Sequence, residues 1–209
     1  RNHPVVIQAL KDLMDSQPAT LVQMDAPLLS GLLAERLKEL TPEALDTVYF
    51  TNSGTEGVET AIKFARKSTR RPRVLFCEHS FHGLSNGSLS LNADESYRTG
   101  FDPLIPGCDK VRLNDLDALS AELKKEDVAA FVLEPVQGKG VFIAEDDYLR
   151  QARELCSRHG TALAFDEVQT GFGRTGKMFS LEHSGVEPDI LIISKALSAG
   201  LIPVGAVLT

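Results

Sequence analysis

The stretch Leu191-Ile192-Ile193-Ser194-Lys195-Ala196-Leu197 decides how the rest of the chain is read. An apolar run opened by Pro188-Asp189 ends abruptly in Ser-Lys. Such a run predicts a strand covered on both faces. It sets an amine at the carboxyl edge of a sheet, where open α/β folds keep their ligands. Desolvation at that edge favours the neutral amine, which attacks carbonyls. A strand-end lysine that only snorkels to water is the plainer reading. The neighbouring segments decide between the two.

Ala162-Leu163-Ala164-Phe165 predicts a second buried strand, ending in Asp166-Glu167-Val168-Gln169. Packing does not explain a carboxylate there. Burying it unpaired is costly, so a cationic or N–H partner is expected. Ala129-Ala130-Phe131-Val132-Leu133 is a third apolar run and ends in Glu134-Pro135-Val136-Gln137-Gly138. Val74 to Cys77 predicts a fourth strand, leading into Glu78-His79-Ser80-Phe81-His82-Gly83. Thr47 to Thr51 predicts a fifth. It is followed by Asn52-Ser53-Gly54-Thr55-Glu56-Gly57 and then by Val58, Ala61, Ile62 and Ala65 at helical spacing. A helix that starts after such a turn offers free N–H groups and the positive end of a dipole, and both favour a phosphate. Simple N-capping by Ser53 or Thr55 explains the same residues.

Apolar spacing predicts helices over residues 3–15, 30–40, 116–124 and 146–159, the last stopped by Gly160. Val6, Ile7, Leu10, Leu13 and Met14 share one face of the first. A Pro- and Gln-containing loop separates the first two helices, and Thr41-Pro42-Glu43 carries a helix-start signal. Residues 92–107 read as a polar loop, 110–113 as a short strand and 178–183 as a short helix. The alternation of strands and helices predicts an α/β fold with a mostly parallel sheet and helices on both faces. Residues 1–40 are expected to form an N-terminal helical segment, and 41–209 the sheet domain. The chain opens on Arg1, and its last apolar run, Val204-Gly205-Ala206-Val207-Leu208, reads as an unfinished strand. We therefore expect a piece of a longer protein.

Three motifs invite other readings. Cys77, His79 and His82 suggest metal ligands, but no second ligand pair has matching spacing, so no metal is expected. Gly83-Leu84-Ser85-Asn86-Gly87 fits G-x-S-x-G, which needs a strand directly before and a helix directly after. The strand ends well upstream, and Ser88-Leu89-Ser90-Leu91 alternates, so the motif is rejected. Gly171 to Lys177 fits G-x-x-x-x-G-K, but Met178 stands where a P-loop needs Ser or Thr. A net charge of −7 without a large basic cluster argues against nucleic acid. The three scattered cysteines suit reduced thiols and a cytoplasmic protein, and no apolar run reaches membrane-spanning length.

One ligand would use all the marked strand ends. It needs a phosphate for the Gly54-Thr55 helix start and a flat ring to lie against Phe81. It also needs a protonated ring nitrogen for Asp166 and an aldehyde for Lys195. Pyridoxal 5′-phosphate (PLP) meets these needs.

The same segments resemble the class III PLP-dependent aminotransferases of fold type I, the group that includes ornithine, acetylornithine, 4-aminobutyrate and diamine aminotransferases. The resemblance rests on Asn52 to Glu56 with Glu59 and Ala61, Phe81-His82-Gly83, Glu134 to Gly138, Asp166 to Gly176, and Pro188-Asp189 leading to Ser194-Lys195-Ala196-Leu197. It implies that Lys195 holds the cofactor as a Schiff base and shuttles the proton, and that Asp166 pairs with the pyridinium nitrogen. It implies a phosphate cup of Ser53, Gly54 and Thr55, stacking by Phe81 with His82 beside it, and Gln169 near the ring hydroxyl. It implies that Glu134 pairs in several members with an arginine from a C-terminal domain absent here. A homodimer is implied, with a partner threonine completing the phosphate site, so the 209-residue chain alone is expected to be a poor enzyme. The reaction implied moves an amino group from an amine or ω-amino donor to a 2-oxo acid such as 2-oxoglutarate. Related chemistry, by an aminomutase or decarboxylating transaminase, stands as an alternative. From another class, a P-loop nucleotide-binding protein or an inactive fragment also stands. One departure is Leu84, where members that bind an α-carboxylate often carry Arg. It disfavours ornithine and acetylornithine as donors and favours an ω-amino acid or a diamine.

Overall fold

Residues alternate between two faces along each central strand. In the computed structural model, which describes residues 2–17 and 27–209, Val74, Phe76, Ala130, Val132, Ala164, Ile190, Ile192 and Val207 pack on one face of a sheet. Leu75, Cys77, Phe131, Leu133, Leu163, Phe165, Leu191, Ile193, Ala206 and Leu208 pack on the other. This is the two-residue period of a pleated strand, with apolar residues at both phases because both faces are covered. The strands are β1 (Val48–Thr51), β2 (Arg73–Cys77), β3 (Cys108–Val111), β4 (Val128–Leu133), β5 (Ala162–Asp166), β6 (Ile190–Ile193) and β7 (Gly205–Leu208). Their order across the sheet is β1-β7-β6-β5-β4-β2-β3. β7 is antiparallel to both its neighbours, and the other pairs are parallel.

The helices are α1 (Pro4–Asp15), α2 (Leu28–Glu39), α3 (Gly54–Thr69), α4 (Asn86–Ser90), α5 (Glu95–Arg98), α6 (Leu116–Leu123), α7 (Asp146–His159) and α8 (Leu181–Ser184). α3 covers the first face with Val58, Ala61, Ile62 and Ala65. α6 and α7 cover the second with Leu119, Leu123, Leu149, Ala152 and Cys156. The fold is the α/β sheet with helices on both faces that the strand–helix alternation predicts. α1 buries no residue, and Met14, expected on its inward face, is exposed. α2 buries only Leu37. The loop expected between these helices lies, over residues 18–26, outside the described residues.

Several local expectations are corrected. No helix starts at Thr41-Pro42-Glu43; the Thr41 hydroxyl instead donates back to the Leu37 carbonyl at the end of α2 (3.0 Å). β3 lies two residues earlier than residues 110–113, because its pairing with β2 starts at Val74 opposite Cys108. The polar loop of 92–107 holds one helical turn, α5, capped by the Asp94 carboxylate on the Ser96 amide. The short helix begins at Leu181, not Met178. The Glu167 carboxylate accepts from the Ser180 and Leu181 amides (2.7 and 2.8 Å) and fixes the start there. Residues 88–91, read as alternating, belong largely to helix α4. One ground for rejecting G-x-S-x-G therefore fails. The other stands, since β2 ends at Cys77, well before Gly83.

α3 approaches the sheet most closely at Gly57, where an added Cβ would sit 2.7 Å from Ile192 Cγ2. A Gly57→Leu substitution should therefore destabilise the protein by about 1–3 kcal/mol through overpacking. A urea titration of the full-length protein should show a lowered midpoint; an unchanged midpoint would contradict this packing.

Candidate active site

Parallel pairing sets three strand ends side by side. Leu133 pairs with Phe165, and Asp166 pairs with Ile192. The residues just beyond these positions, Glu134 and Lys195, therefore flank Asp166 along the carboxyl edge of the sheet. A cavity of about 860 Å³ opens there, and Ser53, Gly54, Thr55, Phe81, His82, Glu134, Asp166, Gln169 and Lys195 all line it. Every residue expected to hold the cofactor is thus brought to one place. Tyr97, Lys139, Val168, Ser194 and the aliphatic stretch Leu201-Ile202-Pro203-Val204 complete much of its wall.

Asp166 is buried and has the partners that its burial demands. One carboxylate oxygen lies 2.7 Å from His82 Nδ1, and the other accepts from the Val168 amide at 3.1 Å. Burial alone lowers the His82 pKa, but the bond to Asp166 and the nearby carboxylates outweigh it and hold the imidazole above its ordinary value. His82 Nε2 is buried and, among the described residues, has no partner. Asn92 fixes the backbone here. Its Oδ1 accepts from the His82 amide (2.7 Å), and its Nδ2 donates to the Gly83 carbonyl (2.8 Å).

Glu134 accepts from the Phe81 amide (2.9 Å) and the Gly138 amide (2.8 Å), tying the loops after β2 and β4 together. Burial pushes its carboxyl above the usual carboxylate range, while His82 and the two amides pull the other way. Phe81 is half-buried and meets Tyr97 edge-on, with ring centroids 5.3 Å apart. Lys139 lies 4.8 Å from the Tyr97 ring centroid and pairs with Asp94.

Lys195 follows Ser194 at the end of β6 and takes a φ of 35°, a backbone region that non-glycine residues seldom occupy. The side chain is exposed, and its Nζ donates to Gln169 Oε1.

At the helix start, both readings of the sequence are realised together. Ser53 is the N-cap and accepts from the Glu56 amide at 3.3 Å. The amides of Gly54 and Thr55, in the first turn, have no acceptor among the described residues. Both residues line the cavity, with the dipole of α3 behind them. Gly54 itself packs closely, because a Cβ there would lie 2.8 Å from Val168. The Thr55 hydroxyl is not free for a ligand as expected. It bonds Ser85 Oγ (2.8 Å) and Ser88 Oγ (2.5 Å).

Leu84 is a correction. It is 59% exposed and is not among the residues of this chain that line the cavity. Sequence reasoning missed Tyr97, Lys139, Asn92 and the buried Glu167, which accepts from Thr170 and two amides of the following loop. The adjacent Asp166-Glu167 pair was the available signal for the last. No potential metal cluster occurs among the described residues. No described helix is long and apolar enough to cross a membrane. Gly171 to Lys177 lies in turns and not between a strand and a helix, which removes the P-loop geometry.

A fit to PLP can be judged from these groups. The unpartnered helix-start amides suit a phosphate, the buried Asp166 suits a cationic ring nitrogen, Phe81 and Val168 offer apolar walls, and the Lys195 amine opens onto the same space. The residues present therefore fit the group.

Comparison with known proteins gives a consistent result. The chain is 44% identical over 214 residues to a putrescine aminotransferase from Pectobacterium atrosepticum, with 98% of this chain and 45% of that protein covered. It is 41% identical over 209 residues to aminotransferase PigE from a Serratia species, with 99% and 24% covered. The solved ornithine aminotransferase of Toxoplasma gondii, reported with partial occupancy of PLP at its active site, superposes with a TM-score of 0.93 at 33% identity. All of this chain and 51% of that one are covered. The chain spans between a quarter and half of the length of these relatives. The aminotransferase class-III family model matches residues 1–209, and the chain belongs to that family.

Proposed function

We propose that the full-length protein is a PLP-dependent aminotransferase that moves an amino group from a terminal amine to a 2-oxo acid such as 2-oxoglutarate. The observation that carries this reading is Asp166, buried at the end of β5 and opening onto the same cavity as Lys195 and the α3 amides. Bound PLP would supply an aldehyde that condenses with amines and a pyridinium that accepts the electron pair left when a substrate C–H bond breaks. Asp166 would hold the proton on the ring nitrogen, and His82 Nδ1 keeps that carboxylate oriented. The amides of Gly54 and Thr55 would bind the phosphate, with Ser53 fixing the turn. Phe81 would set the plane of the ring, and Gln169 would sit beside the ring hydroxyl. Lys195 would hold the aldehyde carbon and then carry the proton between substrate carbon and cofactor. Glu134 would meet the substrate side of the cavity.

The domain reading belongs to the same proposal. Residues 41–209 would form the cofactor-binding domain behind a helical segment of 1–40, with a further domain and a second subunit completing the site of a cytoplasmic homodimer. The 209-residue chain alone would then have little activity.

Asp166→Asn should bind the cofactor but lose transamination by about 10²–10³-fold, the loss typical when one preorganised electrostatic partner is removed. Single-turnover and steady-state rates of the full-length variant check this. Near-normal turnover would contradict the role.

The putrescine aminotransferase relative supports the terminal amine as donor. The methylene chain behind a –CH₂–NH₂ end also suits the aliphatic wall of residues 201–204. With 2-oxoglutarate as acceptor, kcat/KM for putrescine should exceed that for alanine by at least about tenfold. A preference for alanine would overturn the donor assignment.

A further inference from the structure

We propose that Glu59 is a positioning residue for the phosphate of the cofactor, a role that rests on the reading of the site as a PLP site. Glu59 lies on the second turn of α3, outside the cavity lining. Its Oε1 accepts from Ser85 Oγ (2.5 Å), the Gly87 amide (2.7 Å) and the Ser88 amide (3.2 Å). One carboxylate oxygen thus gathers the whole start of α4. Ser85 and Ser88, held this way, in turn hold the Thr55 hydroxyl, which also accepts from the Ser85 amide at 3.2 Å. The contact leaves no slack. A Cβ on Gly87 would lie 2.1 Å from Glu59 Oε2, and one on Gly83 would lie 2.4 Å from Thr55 Oγ1.

The direction of the helix-start amides therefore depends on Glu59. Thr55 supplies one of the two unpartnered amides, and among the described residues its side chain is anchored only through this cluster. Gly54, the other, has no side chain with which to anchor itself. Remove the carboxylate, and the Gly87 and Ser88 amides, both in buried residues, lose their acceptor. The loop then has reason to shift, and Thr55 with it. The ring side of the cavity is secured separately. Asn92 holds His82 and Gly83, and Glu134 holds the Phe81 amide. Loss of Glu59 should thus weaken the grip on the phosphate and spare the grip on the ring.

The test titrates cofactor-free, full-length protein with PLP and, separately, with pyridoxal, which lacks the phosphate, following the absorbance of the bound ring. The wild type should strongly prefer PLP. Glu59→Ala should weaken PLP binding about tenfold, the size of one lost charge-assisted bond to a phosphate, and change pyridoxal binding less than about twofold. Glu59→Gln keeps an oxygen that accepts from the same groups and should restore most of the PLP affinity. Gly87→Ala drives a methyl into the Glu59 carboxylate and should reproduce the Glu59→Ala result; it decides the matter if Glu59→Ala does not fold. Equal losses for both ligands, or variants that keep the wild-type preference, would overturn the proposal. A wild type that binds the two ligands equally would overturn the reading of the site itself, and the role of Glu59 with it.

Discussion

The bond between Asp166 and His82 is the interaction on which the site depends. A carboxylate at the end of a strand packed on both sides is costly to bury without a partner. Here the partner is an imidazole 2.7 Å away, itself buried. His82 could not reach that position unless the loop after β2 crossed over the end of β5. Asn92 and Glu134 hold the loop in that crossing, by bonds to the His82, Gly83 and Phe81 backbone. The same loop then runs on to Ser85 and Ser88 and reaches the start of α3. Asp166 is thereby connected to the helix-start amides through one continuous piece of chain. Two carboxylates and one imidazole share the buried region, which favours a site that takes up positive charge at Asp166.

The sheet order explains why these pieces meet. α3 leaves β1 at one edge and crosses the face of the sheet before the chain returns as β2 near the other edge. Its N-terminus stays beside the ends of β7 and β6, next to Lys195. Gly57 and Gly205 permit the closeness. A Cβ on Gly57 would meet Ile192, and one on Gly205 would meet the Ser53 carbonyl at 2.9 Å. Lys195 reaches the cavity through a backbone turn at positive φ, two residues after the end of β6. A strand end, a helix start and a loop are each rigid for their own reasons, and they converge at one edge of the sheet.

The central strands were legible because a strand covered on both faces must be continuously apolar, so a charged residue close behind each run stands out. Glu134, Asp166 and Lys195 were visible for that reason. Leu84 was misread because its direction depends on Gly83, whose φ is 127°, and a sequence does not tell which way a loop residue turns. The helical state of residues 86–90 was missed because its cap comes from Glu59, far away in the chain. The hydroxyl of Thr55 looked available for a ligand because Ser85 and Ser88 reach it only after folding. In each case the deciding contact spans two elements, and local pattern carries no record of it.

The claim that these strand ends form one cofactor site is tested most directly by locating the lysine that holds PLP. Full-length protein incubated with PLP, reduced with borohydride and digested should carry the reduced cofactor on the peptide containing Lys195. Lys139, which lines the same cavity, is the internal control. Label on Lys195 alone is the predicted result. Label on Lys139 or another lysine, or none despite bound cofactor, would contradict the account.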